Sequence, residues 1–413
     1  MTSVPLPSIA GAKVLRDRGL AQVFAAIQTA GGQARIVGGA IRDTLVGRKC
    51  GDVDVATTLS PDAVMAAATA FGIKAIPTGF DHGTVTLVVA GRPIEVTTLR
   101  RDVQTDGRRA VVAFTADWQI DAMRRDFTMN ALYADLDGTL HDPAGGYADL
   151  LRRRVRFIGE PAARIEEDVL RILRFFRFHA EFGRGDLDRQ GLGACAMRAG
   201  DLAGLSAERV RLEVLRLLAA PGVMISVGAM HEAGILRGLG LVTVDIERLR
   251  RLVAIEGDLL RSGDGLLRLG ALALGEAHDA HDLAARLRLS KLERDRLSGL
   301  EACGTHLHAA MDIKALHALS YRMGKLRLLD CVLLAWSSDG AAATSTAWAE
   351  TWREAERFAP PAFPVSGRDL LAIGARPGPP LGRALSALED EWIEGDFRAG
   401  RDELLRRFKA RGT

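Results

Sequence analysis

Residues 51–57 read GDVDVAT and place two aspartates one residue apart in a run of small and β-branched side chains. Alternate residues of a strand point to the same face, so Asp52 and Asp54 should project together from a strand over 52–56. Two carboxylates on one face repel each other unless a cation lies between them, and a divalent metal ion is the usual cation. The pair therefore predicts a metal site.

A glycine turn precedes the acidic pair. Residues 36–43 read IVGGAIRD, in which a short strand over 34–37 leads through the turn into a helix over 40–46. Because Gly39 has no side chain, a phosphate can approach the backbone beside it. The spacing between this turn and the two aspartates favours metal-dependent phosphoryl chemistry. On its own, an Asp-x-Asp sequence is more typical of a turn or a surface strand.

Glu95 is a candidate third carboxylate. It lies between apolar neighbours on a predicted strand over 93–99, which is a costly place for an unpaired acid. Three carboxylates would allow two metal ions, one activating an attacking hydroxyl and the other neutralising a leaving pyrophosphate. The pattern around Glu95 fits a catalytic role and a structural role equally well.

A first group of arginines lies in residues 121–131, DAMRRDFTMNA. The adjacent guanidinium groups of Arg124 and Arg125 have the forked shape that binds the oxygens of a triphosphate. A solvated charge cluster beside a strand would have the same composition, so this segment alone does not decide between the two interpretations.

A second group lies in residues 164–178, RIEEDVLRILRFFRF. Asp168, Arg171, Arg174 and Arg177 recur at every third position, which on a helix makes one slowly winding polar stripe opposite an apolar side. A carboxylate can accept from the exocyclic amine of a base, and a guanidinium can donate to ring nitrogen and carbonyl acceptors. A salt-bridged surface helix explains the spacing but not an arginine at each step.

The rest of the sequence indicates an α+β fold. The 413 residues are 48% hydrophobic and 26% charged, which suits a folded protein of two to four domains. Strand and hairpin patterns, which predict a mixed sheet with helices, end near residue 145, and helical periodicity dominates 164–330. The net charge of +3 rests mostly on arginine, which favours a polyanionic partner, although a GC-rich genome explains most of that bias.

Cysteine usage and hydropathy suggest a compartment. The four cysteines are scattered without a Cys-x-x-Cys pair, which argues against a zinc ribbon and suits free thiols in a reducing cytosol. The sequence shows no signal-peptide pattern and no apolar run of about 18 residues. We therefore expect a cytoplasmic protein that does not span a membrane.

Together these motifs resemble the class II nucleotidyltransferases, which comprise bacterial CCA-adding tRNA nucleotidyltransferases and their poly(A) polymerase relatives. The resemblance spans roughly residues 30–220 and also includes HGTVT at 82–86 and LSAER at 205–209. A weaker resemblance at 365–371, VSGRDLL, matches the tRNA-holding segment of such enzymes. The family implies a nucleotidyltransferase head over 1–150, a helical neck for base recognition over 151–225, and a helical, tRNA-binding body and tail over 226–413.

The resemblance also implies a reaction and a set of residue roles. The reaction is template-independent addition of CCA to the 3′ end of tRNA from CTP and ATP, with Mg²⁺ as cofactor and release of pyrophosphate by a two-metal mechanism. The implied roles are metal ligation by Asp52 and Asp54, phosphate binding by Gly39 and Arg42 with Arg124 or Arg125, base recognition by Asp168 and Arg171, and support of the pocket and phosphates by Arg174 and Arg177.

Several alternatives remain at this point. Within the family the chain could be a poly(A) polymerase or a partial, CC- or A-adding enzyme. Outside catalysis it could be an RNA-binding relative. Residues 278–282, HDAHD, could instead belong to an HD-type metallophosphohydrolase, although a capped helix end explains them better. The segment 99–109, LRRDVQTDGRR, favours full CCA addition, but Thr105 stands where the family usually has an aromatic residue. The oligomeric state is not predicted.

Overall fold

The computed structural model describes residues 5–106, 109–303 and 307–410, with side chains described in these ranges outside 103–111. The chain divides into two compact units, Met1–Val242 and Thr243–Thr413. The named strands of the described residues all lie in the first unit, and the second unit is built from helices. This is the α+β organisation that the sequence predicts.

The first unit contains a mixed sheet. Its strands and those of a separate hairpin are β1 (Ala34–Val37), β2 (Asp54–Thr57), β3 (Lys74–Gly79), β4 (Thr84–Val89), β5 (Arg92–Thr98), β6 (Arg100–Asp106), β7 (Arg109–Phe114), β8 (Tyr133–Ala134) and β9 (Leu140–His141). The order in the sheet is β3-β4-β5-β2-β1-β8-β9, and β6 pairs with β7. Strands β2 and β5 are parallel, and the other pairs are antiparallel.

Helices of the first unit surround the sheet and continue beyond it. They are α1 (Arg18–Thr29), α2 (Gly39–Leu45), α3 (Pro61–Ala70), α4 (Trp118–Met123), α5 (Gly146–Leu151), α6 (Pro161–Glu167), α7 (Arg171–Phe182), α8 (Arg189–Met197), α9 (Ala207–Ala219), α10 (Val223–Glu232) and α11 (Ile235–Gly238). Short 3₁₀ helices occur at Lys13–Arg16, Phe80–His82, Thr128–Asn130 and Ala199–Gly204.

The strand that carries the acidic pair begins later than the sequence predicts. β2 starts at Asp54, so Asp52 lies in the segment before the strand instead of on it. The reason is the partner strand: β1 ends at Val37, which pairs with Asp54, and Gly38 then turns the chain with a φ of 75°. Asp52 therefore has no neighbouring backbone on β1 with which to continue the ladder.

An aromatic cluster joins the segment after α4 to helix α7. The ring of Phe127 lies 4.8 Å from that of Phe157 and 5.4 Å from that of Phe178, and Phe157 stacks on Phe175 at 5.3 Å between centroids. Phe127, Phe157 and Phe175 are fully buried. Since aromatic pairs add to the burial of apolar area, this cluster fixes the polar face of α7 relative to residues 124–130.

The second unit is helical in the described residues. Its helices are α12 (Ile246–Asp258), α13 (Gly265–Ala273), α14 (Ala280–Arg286), α15 (Lys291–Ala302), α16 (Ile313–Met323), α17 (Lys325–Ser338), α18 (Thr346–Arg357), α19 (Gly367–Ala372), α20 (Pro379–Glu394) and α21 (Arg401–Ala410). Trp336 and Trp348 stack between α17 and α18, and a second core forms around Leu370 and Trp392. None of the described helices is long and apolar enough to cross a membrane.

Two expectations about the second unit have different outcomes. Cys303 and Cys331 are joined in a disulfide, so the prediction that the cysteines are free holds only for Cys50 and Cys195.

Residues 278–282 form a capped helix end, as expected: Asp279 accepts from the backbone N–H of Asp282 at the start of α14. The described residues contain no group of three acidic, histidine or cysteine side chains placed to hold a metal ion, which gives the HD-type alternative no support.

Candidate active site

One cavity of the first unit brings together most of the predicted site residues. It has a volume of about 660 Å³, which is within the usual range for small-molecule sites. Ten of the eleven predicted residues line it, namely Gly39, Arg42, Asp52, Asp54, Arg124, Arg125, Asp168, Arg171, Arg174 and Arg177. The eleventh, Glu95, is not among its lining residues.

The acidic pair lies at the end of β2. Asp54 is level with Glu95 on the parallel strand β5, so their Cα atoms are partners in the sheet. Partial desolvation and repulsion from Glu95 and Asp52 raise the pKa of the Asp54 carboxyl, although Arg125 opposes this. Two oxygen-bearing acids whose charges repel each other suit a hard divalent cation. The role of Glu95 stays a prediction.

The glycine turn lines the cavity beside these acids. Gly38 has a positive φ of 75°, a conformation that favours glycine, and Gly39 begins α2. A Cβ on Gly38 would lie 3.9 Å from the Arg125 guanidinium, and one on Gly39 would lie 3.6 Å from that of Arg42. The two glycines therefore lie beside cationic side chains and add no side chain of their own to the cavity.

Arg42 is a buried cation held from several sides. Its guanidinium donates to Asn130 Oδ1 at 2.6 Å and to Asp43 at 3.0 Å, and it lies 4.1 Å above the ring of Phe182. Only 8% of the residue is exposed. Burial lowers the pKa of Arg42, and Asp43 opposes that effect. The side chain stays charged at neutral pH and is fixed in one orientation toward the cavity.

Arg124 and Arg125 share one buried carboxylate. Asp121 accepts from Arg124 Nε at 2.8 Å, from Arg125 Nη2 at 3.0 Å and from the Tyr133 hydroxyl at 2.8 Å. Burial alone would raise the pKa of Asp121, but the two arginines outweigh burial and lower it. Asp121 thus orients the guanidinium groups of both arginines toward the cavity. Sequence reasoning gave Asp121 no role because only the fold shows that it is buried.

Two arginines of α7, Arg174 and Arg177, belong to a second ion network. Asp126 accepts from Arg174 Nε at 2.8 Å and from Asn130 Nδ2 at 3.0 Å. Glu213 on α9 accepts from Arg177 Nε at 2.5 Å, and its other oxygen lies 3.6 Å from Arg174 Nη1. Burial alone would raise the pKa of Asp126, but Arg174 and the hydrogen bonds lower it to about 2.

Replacement of Asp126 by alanine should destabilise the first unit by about 1–3 kcal/mol, because Arg174 loses its main hydrogen-bond acceptor and keeps only Glu213, 3.6 Å away. Asp126 is 9% exposed, whereas the Arg174 side chain is 31% exposed, so water compensates part of the loss. Urea unfolding followed by circular dichroism measures the change. The matched control is Asp201→Ala, which breaks a surface pair with Arg198 whose side chains are 44% and 41% exposed, and should cost about 0–1 kcal/mol.

The same pair gives a pH dependence. Because the pKa of Asp126 in the folded protein, about 2, lies below its usual value, its stabilisation is complete above pH ~4 and disappears as the pH falls toward 2. The variant Asp126→Asn should therefore show a weaker loss of unfolding free energy between those pH values than the wild type. Equal losses in both proteins would contradict the assignment.

The two predicted base-reading residues both line the cavity but do not lie on one helix. α7 begins at Arg171, whereas Asp168 precedes it in an extended conformation with φ −155°. Asp168 Oδ2 accepts from Arg209 Nη2 at 2.7 Å. Arg171 Nη1 donates to the carbonyl of Arg164 at 2.9 Å and also contacts Glu167. The polar stripe on α7 thus consists of the three arginines. Asp168 lies in the segment between α6 and α7.

Several lining or supporting residues received no individual role from the sequence, although most of them lie in the quoted motifs. They are Asp43, Asp121, Asp126, Asn130, Glu167, Arg209, Glu213 and Arg216. Arg209 lies in the 205–209 motif, so that motif was the available signal for it. The side chain of Thr105 and residues 107–108 lie outside the described part of the chain, so the expectation about the 99–109 segment stays a prediction.

A mixed sheet with paired acids beside a Gly-Gly turn, facing an arginine-bearing helix across one cavity, defines a nucleotidyltransferase. Residues 34–156 match the family described as the poly A polymerase head domain. The chain is 35% identical over 412 residues to CCA tRNA nucleotidyltransferase 1, mitochondrial, of Danio rerio, covering 94% of this chain and 89% of that protein. It is 33% identical over 388 residues to the Homo sapiens protein of the same name, covering 90% and 86%.

The similarity extends to bacterial proteins. The chain is 39% identical over 247 residues to the CCA-adding enzyme of Geobacillus thermodenitrificans, covering 59% of this chain and 60% of that protein. Its fold matches the crystal structure of Bacillus stearothermophilus CCA-adding enzyme in complex with CTP, with a TM-score of 0.74, 27% identity and coverage of 95% and 97%. The chain therefore belongs to the class II family of CCA-adding tRNA nucleotidyltransferases and poly(A) polymerases.

The predicted family, fold class and enzyme class are thereby confirmed. The compartment is a different matter, because some of the relatives are mitochondrial proteins and the prediction of a cytoplasmic location stays a prediction. The boundaries at residues 150 and 225 also stay predictions, since head and neck residues lie within one compact unit.

Proposed function

We propose that this enzyme adds CCA to the 3′ end of tRNA, taking CMP and AMP from CTP and ATP and releasing pyrophosphate. The observation that carries the proposal is the cavity itself, which joins the acidic pair, the glycine turn and the arginine stripe in one space. Relatives named CCA tRNA nucleotidyltransferase and CCA-adding enzyme support the same reaction.

We propose Asp52 and Asp54 as ligands of the divalent metal that the family uses in general, and Mg²⁺ as that metal. Carboxylate oxygens are the ligands that Mg²⁺ prefers, and the repulsion of Asp54 by Glu95 and Asp52, which Arg125 only partly offsets, supports a cation at this place. When bound, Mg²⁺ would activate the attacking 3′-hydroxyl and neutralise charge on the leaving pyrophosphate. Glu95 is a proposed further catalytic residue on the neighbouring strand.

The cationic side chains of the cavity would hold the triphosphate. Arg42, Arg124 and Arg125 are each fixed by an acidic or amide partner, so their donors are oriented before the nucleotide arrives. Gly39 leaves room for a phosphate to approach the backbone. With the α-phosphorus held in line with the 3′-hydroxyl of the tRNA, the protein contributes mainly positioning and neutralisation of charge.

Asp168 and Arg171 would read the base. Cytosine and adenine share an exocyclic amine beside a ring nitrogen that accepts, so one carboxylate and one guanidinium can bind either base and reject uracil and guanine. Asp168 contacts Arg209 through Oδ2 and the backbone N–H of Leu170 through Oδ1. Since a carboxylate has about four acceptor sites, capacity remains for an amine of the base.

Arg174 and Arg177 would support this pocket, which belongs to the proposed neck over 151–225. We propose residues 226–413 for tRNA binding.

The test incubates the protein with tRNA lacking its 3′ CCA, Mg²⁺, CTP and ATP, and sequences the product. We expect CCA from both nucleotides and a stop after two C residues with CTP alone. GTP and UTP, tested in place of CTP and ATP, should not be incorporated. A poly(A) tail, addition of CC only or addition of A only would identify the other activities in the family. No extension by well-folded protein would indicate a non-catalytic RNA-binding relative.

A further inference from the structure

The second unit contains a cysteine pair that the nucleotidyltransferase reaction does not use. Cys303 follows the last residue of α15, Cys331 lies in the middle of α17, and their Cα atoms are 5.5 Å apart, a usual distance for bridged cysteines. Cys303 is 5% exposed and Cys331 is fully buried. They are 28 positions apart in the sequence, and the segment between them includes α16.

An open cavity of about 480 Å³ leads to this pair. Both cysteines line it, together with the polar side chains of Arg248, Glu301 and Asp339. Arg248 is anchored by the backbone carbonyl of Gly270 at 3.0 Å and by two neighbouring carbonyls. The cavity is therefore bounded by fixed groups and is large enough to admit a small disulfide.

The other two cysteines are poor competitors for the same chemistry. Cys195 is fully buried in α8, and burial raises the pKa of its thiol. Cys50 is half-buried and is a free cysteine. Neither Cys50 nor Cys195 lines this cavity or is bonded to a second cysteine, so neither forms the same intramolecular bridge.

We propose that Cys303 and Cys331 form a reversible dithiol–disulfide site, which low-molecular-weight disulfides reach through this cavity and which links α15 to α17. In the forward direction the Cys303 thiolate attacks one sulfur of a small disulfide, whose S–S bond breaks and releases one thiolate. The Cys331 thiolate then attacks Cys303 Sγ and releases the second. The cysteines lose two electrons to the small disulfide, and their two protons pass to water or to the released thiolates.

The bridge stabilises the second unit by restricting the unfolded chain. It closes a loop across 28 positions, which limits the conformations of that segment before folding. We expect the oxidised protein to melt on the order of 5–10 °C above the reduced protein. Both cysteines lie outside the active-site cavity, so the bridge does not depend on the chemistry proposed for that cavity.

The test equilibrates the full-length protein in oxidised and in reduced glutathione, blocks free thiols, and maps the cysteines by mass spectrometry. We expect oxidised glutathione to remove two blockable thiols, at Cys303 and Cys331, with a mass loss of about 2 Da for the pair. Cys50 and Cys195 should remain blockable after unfolding. Reduced glutathione should restore all four thiols.

Melting curves of the same samples provide the second readout, with Cys303→Ser and Cys331→Ser as matched variants. Each variant should melt at the same temperature in both glutathione buffers, whereas the wild type should not. A pair that stays reduced in oxidised glutathione, glutathione attached to Cys50 in preference to Cys303, or a bridge that leaves the wild-type melting temperature unchanged would overturn the proposal. The mapping on wild-type protein decides the question even if a variant folds poorly.

Discussion

Replacement of Asp54 by alanine is expected to abolish nucleotide addition while tRNA binding remains largely intact. Asp54 begins β2 at the edge of the cavity and carries a carboxyl whose pKa is raised by partial desolvation and by Glu95 and Asp52. Without it the proposed metal site loses one of its two ligands. Since a bound metal supplies several kcal/mol of charge stabilisation, the rate should fall on the order of 10³-fold or more.

The control variants separate charge from structure. Asp54→Asn keeps the size of the side chain but removes its charge, and it should be as inactive as Asp54→Ala. Asp62→Asn changes an exposed aspartate in the first turn of α3, away from the cavity lining, and should retain wild-type activity. Single-nucleotide addition under saturating tRNA measures the rates, and filter binding measures tRNA affinity. Full activity of either Asp54 variant would exclude the proposed metal site.

Replacement of Arg171 by alanine is expected to blur the choice of nucleotide more than it weakens RNA binding. Arg171 lines the cavity at the start of α7, where contacts to Glu167 and to the carbonyl of Arg164 hold its guanidinium group in place. A two-bond contact between a guanidinium and a base edge is worth about 1–3 kcal/mol of discrimination. Selection of CTP and ATP over UTP and GTP should therefore fall roughly 10–100-fold.

The conservative variant Arg171→Lys tests whether geometry or charge is responsible. Lysine keeps the positive charge but lacks the planar fork, so it should also lose base selection while retaining more affinity for the triphosphate. The measurement is kcat/KM for each of the four nucleotides on one tRNA primer. If Arg171→Ala selects bases as the wild type does, the reading role belongs to another side chain.

The local motifs allowed much of this site to be predicted from sequence. Gly39 and Arg42 lie within a few residues of each other, and Arg171, Arg174 and Arg177 recur with helical spacing, so their shared direction follows from short-range geometry. That these segments line one cavity follows from the fold, and ten of the eleven predicted residues do so. The resemblance to a known family supplied the expectation that they would meet.

The remaining features depend on contacts between distant residues. Asp52 lies before the strand because β1 ends at Val37, which a pattern of alternating residues cannot reveal. Asp168 is held by Arg209, 41 residues away, and Arg177 by Glu213, 36 residues away. Cys303 and Cys331 are 28 residues apart and meet only because α15 packs on α17. Such pairs are set by tertiary packing, on which local periodicity carries no information.

The most direct test of a single nucleotide site is displacement of labelled CTP from the enzyme by ATP in the presence of Mg²⁺. If both substrates occupy the cavity between Asp54 and Arg171, the enzyme binds one nucleotide per chain and ATP displaces all of the CTP. UTP and GTP should need concentrations at least about 10-fold higher. CTP that remains bound at saturating ATP would contradict a shared site.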